Sequence, residues 1–174
     1  MKYTFLIPAT FLLLILSAFT TVDTQPITIF TIGDSTMADY NTQNGYQGRG
    51  WAQMLPCFLT EANVKIENHA SSGRSTLSFI NEGRWDKVYG ALQPGDFVLI
   101  QFGHNDAGAV NTGKARAELP GAGNESKVFL MESTGKYQVV YTFGWYLRKF
   151  IMDVKEKGAI PIVLSHTPRN VWDN

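Results

Sequence analysis

The apolar run Ile29-Phe30-Thr31-Ile32 ends in Gly33-Asp34-Ser35-Thr36, a turn that can lift a serine hydroxyl from a strand end into solvent. A hydroxyl is a weak nucleophile until a base takes its proton and donors await the oxyanion, so the rest of the chain must supply both. Two later segments offer donors. The first, Asn68-His69-Ala70-Ser71-Ser72-Gly73-Arg74-Ser75, contains Gly73, whose backbone N–H can approach an oxyanion with no side chain in the way. The second, Gly103-His104-Asn105-Asp106, contains Asn105, a neutral amide donor suited to a tetrahedral intermediate with a single negative charge. Asp34 is expected to hold the Ser35 turn through local backbone hydrogen bonds.

These residues are useful only if the fold brings them together. Short apolar runs alternate with amphipathic stretches, the pattern of parallel strands covered by helices on both faces. The strand candidates are Ile27 to Ile32, Val64 to Asn68, Phe97 to Phe102 and Ile160 to Leu164. Helices are expected at Trp51 to Leu59, around Arg84 to Leu92, and near Gln138 to Lys157. In the last, Val140, Phe143, Leu147, Phe150, Ile151 and Val154 recur at three- and four-residue intervals, and Gly158 stops it. Turns at Gln93-Pro94-Gly95-Asp96 and Glu156-Lys157-Gly158-Ala159 precede the third and fourth strands. The stretch from Ala107 to Lys136, rich in glycine and poor in periodicity, reads as a long loop beside the third strand's end. In an open α/β sheet, ligands bind outside the carboxyl ends of the strands, and the three polar segments all follow strand candidates. They therefore share one rim.

A chain of 174 residues, 44% hydrophobic, is long enough for one core and too short for two comfortable domains. Fifteen basic and fifteen acidic residues leave no net charge, so no global field draws the protein to nucleic acid or an anionic membrane. Lys2 followed by the apolar run Leu6 to Phe19 reads as a signal peptide, with residues 1–25 as signal and flexible mature start and residues 26–174 as the folded domain. That predicts a secreted or periplasmic protein with no stable membrane insertion after cleavage; an uncleaved anchor is the alternative. The single cysteine, Cys57, allows no intrachain disulfide and no thiolate metal site, and is expected as a small buried apolar residue in the helix after Trp51.

The blocks Gly-Asp-Ser, a glycine, and Gly-x-Asn-Asp, with Ser35, Gly73 and Asn105 spaced 38 and 32 residues apart, resemble those of the GDSL-type, or SGNH, serine hydrolases. Within that superfamily the chain is most similar to rhamnogalacturonan acetylesterases. The similarity rests on Gly33-Asp34-Ser35-Thr36-Met37, Gly50-Trp51, Ser72-Gly73-Arg74-Ser75, Phe79 through Trp85, and Gln101-Phe102-Gly103-His104-Asn105-Asp106, and covers most of the chain from Ile27 onward. The resemblance implies a flavodoxin-like three-layer α/β/α fold around a parallel sheet. It implies Ser35 as nucleophile, with the Ser35 and Gly73 N–H groups and the Asn105 side chain as the oxyanion hole. The expected substrate is an acetylated polysaccharide or oligosaccharide of pectic type, and the chemistry needs neither metal nor organic cofactor. The Ala107–Lys136 insertion departs from the compact members and leaves the sugar open.

The family takes its base from an Asp-x-x-His motif after a fifth strand, and none of His69, His104 or His166 has an aspartate three residues before it. The chain therefore reads as an SGNH domain interrupted after its fourth strand, with the closing elements absent. With strand order 2-1-3-4-5, the fourth strand would become an uncovered edge, and residues 27–174 alone are expected to be poorly soluble and inactive. His166, on the ligand rim, is a pocket residue or a stand-in base. His104 is a substrate-pocket residue or a hydrogen-bonded support of its turn, and His69 is structural. Arg74 either clamps a uronic carboxylate or forms a salt bridge within the fold. Trp51 and Trp85 stack on sugar or join the core. Two other functions stay open: an SGNH lipase or esterase of different acyl specificity, and a non-catalytic carbohydrate-binding remnant. A phosphate-loop protein is disfavoured, because neither Gly-x-Gly-x-x-Gly nor Gly-Lys-Ser/Thr occurs.

Overall fold

The computed structural model describes residues 26–59 and 63–168, so the segment expected as a signal peptide lies outside the described residues. Four strands form one all-parallel sheet: β1 (Ile27–Gly33), β2 (Val64–Asn68), β3 (Phe97–Gln101) and β6 (Ile160–Val163), in the order β2-β1-β3-β6. This is the flavodoxin-like order read from the sequence. The helices between them are α1 (Trp51–Met54), continued by a 3₁₀ turn at Leu55–Cys57, then α2 (Thr76–Asn81), α3 (Arg84–Ala91) and α4 (Phe143–Glu156).

Alternation along the strands decides what is buried. Phe30 and Ile32 of β1 and Val98 and Ile100 of β3 point to one face and meet Phe79 of α2, Trp85 and Val88 of α3, and Phe150 and Val154 of α4 in a single core. Trp85 is thus a core residue, its indole edge-on to Phe150 with centroids 4.8 Å apart and its Nε1 donating to Asp153 Oδ2 at 2.7 Å. Phe150 also packs on Phe79 and Phe102 and is fully buried. We expect Phe150→Ala to destabilise the domain by about 3–5 kcal/mol, read as a lower urea midpoint, because the cavity left by a buried aromatic is only partly refilled. β6 pairs with β3 alone among the described residues, and its Ile160, Ile162 and Val163 are exposed. It is the apolar outer strand that the strand order predicts.

Three local expectations need correction. The Ala107–Lys136 stretch is not all loop: β4 (Ser126–Met131) and β5 (Lys136–Tyr141) form an antiparallel hairpin closed by Gly135, whose N–H donates to Met131 O at 2.8 Å. The last helix begins at Phe143, not Gln138, because Thr142 caps it, accepting from Trp145 N at 3.2 Å, and Gln138–Tyr141 belong to β5. Cys57 is exposed, since α1 lasts a single turn before Pro56 draws it into the 3₁₀ turn and leaves the thiol outside the core. The helix α2, absent from the sequence reading, starts with a reciprocal cap: Ser75 Oγ accepts from Ser78 N, and Ser78 Oγ accepts from Ser75 N at 2.8 Å.

Candidate active site

The turn after β1 is built by Asp34. Its Oδ1 accepts from Thr36 N and Thr36 Oγ1, both at 2.9 Å, which closes a tight turn and leaves Ser35 at its apex, half-buried. Its Oδ2 accepts from His104 N at 3.4 Å, tying this turn to the one after β3. Gly33 is required by close approach: a Cβ there would lie 2.4 Å from both Gln101 O and Met37 Sδ. Gln101 joins three parts of the rim. Its Oε1 accepts from Trp51 Nε1 at 2.7 Å and Thr36 Oγ1 at 3.2 Å, and its Nε2 donates to Ser165 O at 2.8 Å. Trp51 is therefore anchored by its indole nitrogen. In the sequence Gln101 stands out only as part of a motif, since its partners lie 50 to 65 residues away in the chain and no local pattern reveals them.

The second turn is held from both sides. Ser71 N donates to Gly33 O at 2.9 Å, keeping it beside the Ser35 turn, and Gly73 takes φ of +80°, which a side chain would strain. Asn105, buried after β3, donates from Nδ2 to Arg74 O at 3.0 Å. That bond orients the amide and leaves its second N–H for another acceptor. The three expected residues Ser35, Gly73 and Asn105 thus stand on turns knitted to one another by Ser71 N, His104 N and Asn105 Nδ2.

The other candidates are distributed differently. Arg74 is in the salt bridge considered for it: Nε lies 3.0 Å from Glu82 Oε2, and Nη1 donates to Ser72 O at 2.8 Å. Burial works against ionisation of Glu82, but the Arg84 and Arg74 hydrogen bonds outweigh it and hold the carboxyl below its usual range. His104 meets Thr167 O through Nε2. His69 bonds Glu67 Oε2 at 3.2 Å and packs on Phe30, away from the serine. His166 lines a cavity of about 420 Å³ with Gly103, Asp106, Glu118 and Phe143. Among the described residues, no histidine hydrogen-bonds to Ser35 Oγ.

Beneath this rim lies a pair that sequence reasoning missed. Glu118 reaches the first turn of α2, its Oε1 accepting from Thr76 Oγ1 at 2.8 Å and Leu77 N at 2.7 Å, while Asp106 Oδ1 accepts from Thr76 N at 2.8 Å. Both carboxyls are buried, and neither Asp106 Oδ2 nor Glu118 Oε2 has a hydrogen-bond partner. Burial, with Asp106's charge beside it, pushes the Glu118 carboxyl up to about 8, and burial raises Asp106 as well. Burial and the neighbouring charge thus favour the protonated form of Glu118 at neutral pH. Only the Asp of Gly103-His104-Asn105-Asp106 was visible beforehand; Glu118 stands in a stretch with no periodicity to mark it.

A four-stranded parallel sheet whose carboxyl-edge turns carry Ser35, Gly73 and Asn105 has the layout of a ligand site on an open α/β sheet. Residues 31–173 match the GDSL-like Lipase/Acylhydrolase family, and the chain belongs to that family. It is 35% identical over 147 residues to a rhamnogalacturonan acetylesterase of Emericella nidulans, covering 84% of this chain and 55% of that protein. The rhamnogalacturonan acetylesterase RhgT of Bacillus subtilis is 32% identical over 149 residues, covering 86% of this chain and 53% of the relative. The crystal structure of the Bacillus subtilis protein YxiM superposes with a TM-score of 0.58 at 26% identity, over 80% of this chain and 32% of that one. The chain spans about half the length of the acetylesterases it matches.

Proposed function

We propose that this chain carries the nucleophile-bearing part of an exported carbohydrate esterase that removes acetyl groups from pectic polysaccharide. The observation that carries the reading is the convergence of Ser35, Gly73 and Asn105 on interlocked turns at one edge of the sheet. Similarity to two rhamnogalacturonan acetylesterases supports the substrate class. Ser35 Oγ attacks the acetyl carbonyl as a base removes its proton, and the resulting oxyanion is received by the Ser35 and Gly73 N–H groups and the free N–H of Asn105. The sugar oxygen leaves with that proton, and water then hydrolyses the acetyl-serine. The base is the histidine of the family's Asp-x-x-His motif, which does not occur in these 174 residues.

Two measurements test the reading. The 174-residue chain should hydrolyse 4-nitrophenyl acetate at a rate that Ser35→Ala leaves unchanged, because no imidazole among the described residues hydrogen-bonds to the hydroxyl; a Ser35-dependent rate would mean that a residue such as His166 serves as base. A gene product that includes an Asp-x-x-His should release acetate from acetylated pectin faster than it cleaves longer-chain nitrophenyl esters. The opposite preference points to a lipase of this family. The absence of a hydrogen-bonded base on Ser35 among the described residues favours one further reading, a non-catalytic carbohydrate-binding remnant, which a stop at codon 174 of the genomic DNA would support.

A further inference from the structure

Two guanidinium groups bracket the Gly73 turn, and only one of them is ion-paired among the described residues. Arg74 donates to Ser72 O and is ion-paired through Nε, 3.0 Å from Glu82 Oε2, an oxygen that it shares with Arg84. Arg116 comes from the insertion after β3 and donates from Nη1 to Gly73 O at 2.7 Å. The same nitrogen would stand 3.2 Å from a Cβ on Gly73, so the guanidinium lies directly against the residue expected to face the reacting carbonyl. Among the described residues, Arg116 has no carboxylate within ion-pair distance. Its sequence neighbour Glu118 is turned away toward Thr76 and Leu77.

The backbone beneath Arg116 is fixed. Ser75 Oγ donates to Arg116 O at 2.5 Å, and Glu118 N donates to Asp106 O at 3.1 Å, so the segment is stapled to the α2 turn and to the turn after β3. A guanidinium offers five N–H donors in a planar fork, and the Gly73 carbonyl uses one. A half-buried cation held in place with donors to spare suits a planar anion.

We propose that Arg116 binds a uronic carboxylate of the polysaccharide beside the ester to be cleaved, and so sets a preference for acidic over neutral or methyl-esterified chains. The assignment rests on the esterase reading for the location of its ligand. It transfers to Arg116 the role considered for Arg74. The carboxylate would also approach without leaving an uncompensated charge, because the positive charge is already at the rim.

The test is binding of a galacturonic acid oligosaccharide and of its methyl ester to the full chain, by calorimetry. Esterification of the ligand should weaken binding roughly tenfold to hundredfold, the range for a charged hydrogen bond at a half-buried site. Arg116→Gln should weaken the acid form to the same degree and abolish the difference between the two ligands, whereas Arg74→Gln should preserve the difference. Equal affinity of the unaltered chain for acid and ester overturns the assignment, and that measurement needs no variant that might lose the Gly73 turn. Retained discrimination in Arg116→Gln, with its fold confirmed by circular dichroism, also overturns it. Failure of Ser35-dependent acetate release in the longer gene product would instead remove the esterase reading while leaving a carboxylate-binding arginine in place.

Discussion

In a gene product that includes the Asp-x-x-His base, Ser35→Ala is expected to lower kcat for acetate release by on the order of 10⁶-fold, because the acetyl-enzyme can no longer form. Asn105→Ala should cost less, roughly 10²- to 10³-fold in kcat with KM nearly unchanged, equivalent to about 2.7–4 kcal/mol of transition-state stabilisation. The split between kcat and KM carries the meaning. The ground-state ester carbonyl has little charge, whereas the tetrahedral oxygen has a full one, so a preorganised amide is felt mainly in the transition state. Asn105 is preorganised by its bond to Arg74 O, and that bond also supplies a control. Asn105→Asp preserves the size of the side chain but presents an acceptor to both the oxyanion and Arg74 O, so it should be no more active than the alanine variant. A rise in KM with kcat intact would show that Asn105 binds substrate and does not stabilise the oxyanion. Steady-state kinetics on acetylated pectin and on 4-nitrophenyl acetate decide between these outcomes.

The second large effect concerns pH and the buried carboxyl pair. Glu118 sits near 4.5 in an unstructured chain and is pushed up to about 8 in the fold by burial and by Asp106. The folded state therefore binds a proton that the unfolded state has released, at every pH between those two values. Stability is fully present below about 4.5, falls as pH rises, and has lost this contribution above about 8. With one proton involved, unfolding free energy should fall by about 1.4 kcal/mol per pH unit across the middle of the window. Urea titrations at pH 5.5 and 7.5 measure the slope directly. Glu118→Gln should flatten it. A glutamine carbonyl can still accept from Thr76 and Leu77, while its neutral amide has no proton to lose in this window. If the slope persists in Glu118→Gln, another group is responsible. Glu67 and Glu82 do not compete in this window, since both are held below 4.5.

The carboxyl pair also explains why the insertion matters to the rim. Arg116, Ala117 and Glu118 lie at its near end, and each polar contact they make reaches a residue of the Gly73–Leu77 turn or Asp106. Charging both carboxyls would repel the two segments that position Gly73 and Asn105. Loss of stability at high pH and loss of the oxyanion geometry should therefore share a cause.

What could be read without a structure followed from local order. The apolar runs that became β1, β2, β3 and β6 are each bounded by turn residues, and their parallel pairing puts every following turn at the same edge of the sheet. Ser35, Gly73 and Asn105 could be named because each lies within a few residues of a strand end. The hairpin β4–β5 was also within reach, since Val128 to Met131 and Tyr137 to Tyr141 flank Ser133-Thr134-Gly135, a hairpin signal that the glycine-rich surroundings masked. Val140 misled in the other direction: it is buried as a strand residue against Leu77 and Tyr146, yet its spacing also fits the helix that starts three residues later.

The sequence by itself determined the strand ends and the three residues at the rim, because turn chemistry and apolar periodicity act over a few neighbouring positions, while the order of the strands in the sheet followed from the family resemblance. Tertiary structure alone decided which arginine is spent and which is available. Glu82 pairs with Arg74 from eight residues away, and Arg116 crosses 43 residues of chain to reach Gly73. It alone decided that the Glu118 carboxyl is pushed up, since a carboxyl's affinity for a proton depends on the water and charge around it, and packing sets both.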